Sequence, residues 1–248
     1  MTQFVVVIPA RFASERLPGK PLRDIAGKPM LQHVYERGTE SGASDVVIAT
    51  DDERIADAAS LFSAKFCMTS SAHKSGTDRL AEVAREFSWP DDTVIVNLQG
   101  DEPLMPPELI NQCAALLDDD RADVATLASP ILSLTDLGNP NVVKAVVDND
   151  GFALYFSRAA IPYARSEESK EISFNAALHH HGIYAYRNAV LQKIVAADQS
   201  PLEICEQLEQ LRALSLGMKI KVGVPSIRPG PGVDTEEDLQ AAERRFLS

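Results

Sequence analysis

The sequence predicts an α/β fold, a doubly wound and mostly parallel (Rossmann-like) sheet with a smaller antiparallel insertion. Short apolar runs alternate with amphipathic stretches through the first half of the 248 residues, and this βαβα order is typical of parallel sheets. The second half contains a hairpin signal and a longer polar segment. We therefore predict one domain over residues 1–248, with the insertion at about residues 140–190.

Apolar runs and helix signals predict the elements of the first half. Phe4–Ile8 is a continuous apolar run of strand length, typical of a strand buried on both faces. Gly42 ends the helix predicted over Pro29–Ser41, and Asp51 or Asp52 can cap the next helix. The same patterns predict strands at Val46–Ala49, Phe66–Met68 and Thr93–Leu98, and helices at Thr77–Phe87 and Pro107–Leu117.

Hairpin and capping signals predict the second half. Asp148-Asn149-Asp150-Gly151 separates the apolar segments Val142–Val147 and Phe152–Phe156, as in a β-hairpin. Ser200-Pro201-Leu202-Glu203 is a capping box and predicts one helix that ends at Gly217. Its apolar stripe of Ile204, Leu208, Leu211 and Leu214 is predicted to face the core. The other predictions are a polar loop at Arg165–Ser173, strands at His179–Tyr186 and Ile220–Val224, and a helix at Thr235–Phe246.

The composition excludes several classes of protein. The formal net charge is −12, which disfavours nucleic-acid binding, because that depends on a basic surface. No apolar run approaches the roughly 18–20 residues of a membrane span, and the short run Phe4–Ala10 predicts no signal peptide. The three cysteines, Cys67, Cys113 and Cys205, are scattered, so we expect reduced thiols and a cytoplasmic location.

The loop after the first predicted strand carries three cations, Arg11, Arg16 and Lys20. Ligands of open α/β sheets bind beyond the carboxyl ends of the strands, and both arginine and lysine bind phosphate. The dinucleotide fingerprint is missing because Gly19 is the first glycine of the loop, and Pro21 breaks the P-loop pattern after Gly19-Lys20. Three cations at this position in an acidic protein favour phosphate binding over a solvated basic loop.

Seven motifs, in order along essentially the whole chain, resemble the 3-deoxy-manno-octulosonate cytidylyltransferase (CMP-Kdo synthetase) family. The motifs are Arg16-Leu17-Pro18-Gly19-Lys20-Pro21-Leu22, Ala49-Thr50-Asp51, Ser75-Gly76-Thr77-Asp78-Arg79, Asn97-Leu98-Gln99-Gly100-Asp101-Glu102-Pro103, Ala153-Leu154-Tyr155-Phe156-Ser157-Arg158, Leu208-Glu209-Gln210-Leu211-Arg212 and Gly232-Val233-Asp234-Thr235.

The resemblance implies a single nucleotidyltransferase domain that transfers CMP from CTP to the anomeric hydroxyl of 3-deoxy-D-manno-octulosonate (Kdo), yielding CMP-Kdo and pyrophosphate for lipopolysaccharide biosynthesis. It implies Mg²⁺ as the cofactor and a cytoplasmic homodimer, with the antiparallel insertion binding the sugar and mediating dimerisation. Transfer to 8-amino-Kdo or to another acidic sugar is the alternative.

Two aspartates are the candidate metal ligands. Asp101 follows the predicted strand Thr93–Leu98, and Asp234 precedes the last predicted helix. From the residues alone, Asp101 could equally be a turn residue and Asp234 a helix cap. Mg²⁺ prefers a few carboxylates with phosphate oxygens and waters. The resemblance assigns both aspartates to Mg²⁺, and it assigns Lys20, Arg16, Asp101 and Asp234 to catalysis.

The resemblance also assigns the substrate contacts. The implied nucleotide contacts are Ala10, Arg11, Ser14, Lys20, Ser75 and Gly76. The implied sugar contacts are Arg79, Gln99, Arg158, Arg165, His180, Tyr184, Glu209 and Gln210. His181 stands where the family usually has an aliphatic residue, so we predict that it packs or lies at the surface.

Other classes fit the sequence less well. A glycosyltransferase of this core typically carries a D-x-D motif, which Pro103 interrupts in Asp101-Glu102-Pro103. A regulatory module that binds CTP but releases no pyrophosphate stays open on the sequence. A zinc protein is disfavoured, because the successive strand residues His179-His180-His181 alternate between faces.

Overall fold

A mixed β-sheet forms the centre of the computed structural model, which describes residues 2–14, 16–73 and 75–247. The strands are β1 Phe4–Ala10, β2 Asp24–Ile25, β3 Lys28–Pro29, β4 Asp45–Thr50, β5 Lys65–Met68, β6 Val94–Asn97, β7 Val124–Pro130, β8 Lys144–Val147, β9 Ala153–Ser157, β10 Leu178–Arg187 and β11 Ile220–Gly223. The helices are α1 Met30–Glu40, α2 Glu53–Leu61, α3 Gly76–Glu86, α4 Pro107–Ala115, α5 Leu134–Gly138, α6 Lys170–Ala176, α7 Asn188–Ala196, α8 Pro201–Glu206, α9 Gln210–Ser215 and α10 Glu236–Phe246.

The strand directions confirm the predicted, mostly parallel sheet. The strand order is β11-β7-β10-β6-β1-β4-β5. β1 pairs in parallel with β4 and β6, β4 with β5, and β7 with β11, whereas β10 is antiparallel to both of its neighbours. The start of β10 also pairs with β8 of the hairpin β8–β9. The beginning of β10 therefore lies at the edge where β1, β4, β6 and β7 end.

Two hydrophobic clusters cover the two faces of the sheet. All seven residues of β1 are buried, and successive residues point to opposite faces. Val6 and Ile8 pack with the side of the molecule that carries α1 and α4, and Val5 and Val7 pack with the side that carries α3 and α7. Helices on both faces leave the carboxyl edge of the strands as the place for a site.

The second half differs from the sequence prediction in two segments. The polar stretch predicted as a loop at Arg165–Ser173 contains a 3-10 turn at Glu167–Ser169 and most of α6. The single helix predicted up to Gly217 is broken into α8 and α9, because Gln207 adopts a left-handed φ of 52°. The break turns Ile204 to solvent, with 60% of its surface exposed, so the predicted apolar stripe is not one continuous core face.

Besides the short elements β2, β3 and α5, the longer elements β7 and α7 were not predicted. β7 is buried along six of its seven residues, but its alanines, Thr126 and Ser129 make a weakly apolar run. α7 follows β10 without an intervening turn and has no side-chain cap, so its start carries no sequence signal. Within the described residues, no helix is both long and apolar enough to cross a membrane.

Candidate active site

The loop that follows β1 is anchored by a small apolar cluster. Leu17 is buried with Met30 of α1 and with Val233 and Leu239 at the start of α10. Gly19 has a left-handed φ of 66°, and a Cβ there would lie 3.2 Å from the ring of Phe12. Together these contacts fix the turn from which the side chain of Lys20 projects. Glu15, within this loop, lies outside the described residues.

Phe12 also connects the loop to α2. The guanidinium of Arg54 lies 3.3 Å from the centroid of the Phe12 ring. Arg54 in turn donates two side-chain hydrogen bonds to the carboxylate of Asp52, the N-cap of α2, at 2.9 and 2.7 Å. The loop is therefore braced from the adjoining helix through an aromatic ring.

Lys20 joins the two candidate metal ligands. Its Nζ lies 2.7 Å from Asp101 Oδ2 and 2.7 Å from Asp234 Oδ1. Arg16 reaches the same Asp234 oxygen at 3.1 Å. The structure thus brings together all four residues assigned to catalysis, although they lie far apart in the chain.

Backbone and capping contacts place the two aspartates. The Val233 amide donates to the Asp101 carbonyl at 2.9 Å, which ties the loop before α10 to the end of β6. Thr235 caps α10 and forms a capping box with Asp238. Asp234 is therefore not the helix cap, and its carboxylate is free to face Lys20.

Charge coupling favours the ionised forms of Lys20 and Asp234. Burial lowers the pKa of Lys20, but the carboxylates of Asp101 and Asp234 outweigh that effect and raise it. Burial raises the pKa of Asp234, but its bonds with Lys20 and Arg16 outweigh that effect and lower it. Burial, with Asp101 and Asp234 nearby, raises the pKa of Glu102 to about 8. Glu102 is therefore protonated at neutral pH and adds no third negative charge.

The implied nucleotide contacts lie around the end of β1. Arg11 donates to the His73 carbonyl at 2.9 Å, and the Ser14 hydroxyl accepts from the Leu17 amide at 3.3 Å. Ser75 caps α3, whose first residue is Gly76. A Cβ on Gly76 would lie 3.2 Å from the ring of Pro9, so the start of α3 packs closely against β1 beside Ala10.

A cavity of about 610 Å³ opens beside this centre, a size typical of small-molecule sites. Six of the eight implied sugar contacts line it: Gln99, Arg158, His180, Tyr184, Glu209 and Gln210. They come from the end of β6, the end of β9, the strand β10 and the turn between α8 and α9. Arg16 also lines the cavity, which connects it to the lysine–aspartate centre.

His180 is a neutral side chain whose tautomer follows from its contact with Thr126. Its Nε2 lies 3.0 Å from the hydroxyl of Thr126, which donates to the Ile183 carbonyl at 2.7 Å. Because that hydroxyl has a single proton, Nε2 must be the donor and Nδ1 the acceptor. Burial, with His181 and His179 nearby, lowers the pKa of His180 to about 3. The His181 ring lies 2.7 Å from the Ser129 hydroxyl, a packing role on the other side of the strand.

The remaining cavity side chains are held by neighbours. Glu209 accepts from Thr77 at 2.6 Å, and Gln99 donates to Asn97 at 3.1 Å. The guanidinium of Arg158 donates to the backbone carbonyls of Glu206, Pro140 and Gln207 at 2.7, 3.1 and 3.4 Å. Nε2 of Gln210 is buried without a hydrogen-bond partner among the described residues. A buried donor without a partner in a cavity wall is a position where a ligand can bind.

Two implied sugar contacts lie elsewhere. Arg79 is 1% exposed, and it donates to Thr69 and to Asp51 at 2.7 Å each. Arg165 is exposed and lies outside the lining of the cavity. The structure gives Arg79 a role in joining β4, β5 and α3, and it gives Arg165 no contact with the candidate site.

Sequence reasoning missed Lys144, a buried cation that supports the cavity wall. Its Nζ donates to the carbonyls of Asn139, Val142 and Arg158 at 2.8, 2.6 and 2.5 Å. Burial lowers its pKa. The available signal was a single lysine inside the apolar run Val142–Val147. Thr126, which orients His180, carried no such signal.

The donor set at Asp101 and Asp234 suits a small hard cation. One oxygen from each carboxylate lies at the same distance from one atom, so a single ion could reach both. In the described part of the chain, no three His, Cys, Asp or Glu side chains are grouped as a metal site. A cation here would need phosphate oxygens and waters as its other ligands, which is how proteins usually bind Mg²⁺.

Comparisons with known proteins point to one family of enzymes. A cytidylyltransferase family model matches residues 5–220. The chain is 51% identical over 246 residues to the 3-deoxy-manno-octulosonate cytidylyltransferase of Idiomarina loihiensis, with 97% of each chain covered. It is 53% identical over 247 residues to that of Yersinia enterocolitica, with 99% of each chain covered.

Solved structures give the same result. The structure of CMP:2-keto-3-deoxy-manno-octonic acid synthetase complexed with CTP matches with a TM-score of 0.90 and 44% identity, over 99% of each chain. A cytidylyltransferase from Leptospira borgpetersenii matches with a TM-score of 0.64 at 18% identity, over 100% of this chain and 89% of that one, and shows the fold alone. The resemblance of the seven motifs is confirmed: the chain belongs to the cytidylyltransferase family, and within it to the 3-deoxy-manno-octulosonate cytidylyltransferases.

Proposed function

We propose that this protein transfers CMP from CTP to the anomeric hydroxyl of Kdo, yielding CMP-Kdo and pyrophosphate for lipopolysaccharide biosynthesis. The observation that carries the proposal is full-length similarity at 51–53% identity to relatives named for this activity. The match to a synthetase complexed with CTP supports the donor. The cavity beside the Lys20 centre supports a small polar acceptor.

In the proposed reaction, the chain positions two anions and stabilises the charge that develops between them. The anomeric hydroxyl loses its proton to solvent, its oxygen bonds to the α-phosphorus as the bond from that phosphorus to the bridging oxygen breaks, and pyrophosphate leaves. Arg11, Arg16 and Lys20 bind the triphosphate and offset its charge. The amide groups at the start of α3 can donate to phosphate, because the first amides of a helix have no partner within it. Positioning and electrostatics supply most of the rate acceleration in such transfers.

We infer that Mg²⁺ is the cofactor and that Asp101 and Asp234 hold it. When bound, Mg²⁺ would offset phosphate charge and lower the pKa of the sugar hydroxyl. The two carboxylates converge on Lys20 at equal distance, which suits a shared small cation. In the absence of the metal, Lys20 and Arg16 hold the two carboxylates by ion pairs.

The cavity has the chemistry of a site for an acidic, polyhydroxylated sugar. Gln210 offers a buried donor without a partner among the described residues, and His180 offers the acceptor Nδ1. Gln99 and Glu209 add amide and carboxylate groups that can bond hydroxyls. Arg158 supplies positive charge for the sugar carboxylate, because its backbone-bonded guanidinium is held at the cavity wall.

We also infer a homodimer formed through the insertion, in the cytoplasm, where CTP is available. Several large apolar side chains on or beside the insertion are exposed, including Leu132, Leu154, Tyr163 and Ile172. Exposed apolar side chains of this size are typical of interfaces when they cluster. Light scattering of the purified protein tests this inference: a monomer that stays active would contradict it.

The function is tested by pyrophosphate release with each nucleotide triphosphate and a panel of acidic sugars. We expect release with CTP, Mg²⁺ and Kdo, and much less with the other nucleotides. A higher kcat/KM with 8-amino-Kdo than with Kdo would identify 8-amino-Kdo as the acceptor. The reaction would still be transfer of CMP from CTP. CTP binding without pyrophosphate release in the presence of any of the sugars would identify a binding module instead.

A further inference from the structure

Lys20 fills the space between the two carboxylates that are proposed to bind Mg²⁺. Its Nζ is within 2.7 Å of an oxygen from each. The Lys20 side chain is 15% exposed, whereas Arg16, whose ion pair is with Asp234, is 66% exposed. Lys20 is therefore the cation at the centre of the pair, and Arg16 lies at its edge.

An ammonium and a magnesium ion compete for the same oxygens. Mg²⁺ binds carboxylate oxygen at about 2.0–2.1 Å and demands near-octahedral geometry. An ammonium group that is bonded to both oxygens occupies the space that such an ion needs. Two cations at so short a distance also repel each other. The other two oxygens, Asp101 Oδ1 and Asp234 Oδ2, are the alternative ligands that would let Lys20 keep its contacts.

We propose that Lys20 is an internal competitor for Mg²⁺, released from Asp101 and Asp234 when the metal arrives with the nucleotide. This inference rests on the proposed function. On release, the ammonium exchanges two carboxylate contacts for triphosphate oxygens, so it remains paired throughout. Magnesium without nucleotide offers Lys20 no new partner and binds weakly. Lys20 thereby couples metal binding to CTP binding through one side chain.

The local structure suits such an exchange. The backbone at Lys20 is fixed by Gly19, by buried Pro21 and by the bond from its amide to the Leu17 carbonyl at 3.1 Å. Only the flexible four-carbon stem has to move.

The first test follows the lysine ammonium groups of the wild-type protein by ¹⁵N–¹H NMR. The Lys20 signal is assigned by its loss in Lys20→Arg, and Mg²⁺ is added with CTP in the absence of sugar. We expect the Lys20 signal to shift with saturation of the site. The signal of Lys144, held by three carbonyls away from the aspartates, is the internal control and should not move. An unchanged Lys20 signal at saturation means that Lys20 keeps its carboxylate contacts when the metal binds, and the exchange is wrong.

The second test measures Mn²⁺ affinity without nucleotide by electron paramagnetic resonance. Removing the competitor in Lys20→Met should tighten Mn²⁺ binding by about tenfold or more, within the usual range of coupling between sites. Arg16→Met is the matched control, because it removes one charge from the same Asp234 oxygen, and we expect a change below about threefold. Equal tightening in both variants would indicate a general charge effect and overturn the exchange.

The outcomes separate this inference from the proposed function. Pyrophosphate release by the wild type with an unchanged Lys20 signal would reject the exchange alone. Failure of Mn²⁺ to bind with CTP would reject the metal site and the exchange together. Circular dichroism shows whether Lys20→Met is folded, and the NMR test does not depend on that variant.

Discussion

Replacing Arg79 separates a role in positioning the fold from direct contact with the sugar. Arg79 is almost fully buried, and its side chain donates hydrogen bonds to Thr69 and Asp51 of the protein itself. Removing one member of a buried ion pair lowers the free energy of unfolding by about 3–5 kcal/mol. We expect the lower end, about 3 kcal/mol for Arg79→Met, because the Asp51 side chain is 20% exposed and water can solvate it.

That loss is measurable by thermal unfolding. In a protein of this size, 1 kcal/mol lowers Tm by about 2–4 °C, so the expected decrease is about 6–12 °C. The double variant Arg79→Met with Asp51→Asn should lower Tm by less than the sum of the two single decreases, because the carboxylate left without its ion-pair partner is gone. Arg85→Met, which removes an exposed arginine from the same helix, is the control and should change Tm little.

The KM for Kdo in Arg79→Met can contradict a purely structural role for Arg79. If Arg79 only positions the fold, KM for Kdo should change little at temperatures where Arg79→Met is folded. An unchanged Tm with a KM for Kdo raised tenfold or more would refute this reasoning. Arg79 would then be a sugar contact, as the family resemblance implied.

Three further predictions concern other parts of the molecule. Asp101→Asn should abolish pyrophosphate release and leave the circular dichroism spectrum unchanged; normal turnover would refute the metal assignment. Arg54→Met should raise KM for CTP by about two- to fivefold through loss of its contact with Phe12, with KM for Kdo unchanged; equal changes in both would point to general loosening. His180 and His181 have pKa values lowered to about 3. As the pH falls, both histidines therefore become protonated in the unfolded chain before they do so in the folded protein. The stability that these histidines contribute, measured by urea unfolding, should therefore be fully present above about pH 6.5 and be lost as pH decreases toward 3. A pH dependence of the free energy of unfolding that is unchanged in His181→Leu would contradict this.

The first half of the fold was predictable because its signals are local. β1 is a continuous apolar run, Gly42 has the left-handed φ of 79° that ends a helix, and Asp52 caps α2 as a short acidic residue does. The break at Gln207 was not predictable, because a non-glycine residue takes the left-handed conformation only where surrounding contacts impose it. The capping box at Ser200 gave the start of α8 correctly but carried no information about where the helix ends.

The candidate site divides in a similar way. The cations of the first loop and the positions of Asp101 and Asp234 beside predicted elements could be read from the sequence, since strand ends meet at one edge. The choice between a helix cap and a free carboxylate at Asp234 required the structure, because Thr235 takes the cap. The pairing of Arg79 with Asp51 joins residues of different elements, and no local pattern encodes it.

The most direct test of the central claim is ³¹P NMR of the complete reaction with CTP, Mg²⁺ and Kdo. We expect the three CTP resonances to be replaced by one phosphodiester resonance and pyrophosphate in equal amounts, and Asp234→Asn to leave the CTP resonances unchanged. Conversion of CTP to CDP and phosphate, or CTP that persists with the wild-type protein, would contradict CMP transfer at the Lys20, Asp101 and Asp234 centre.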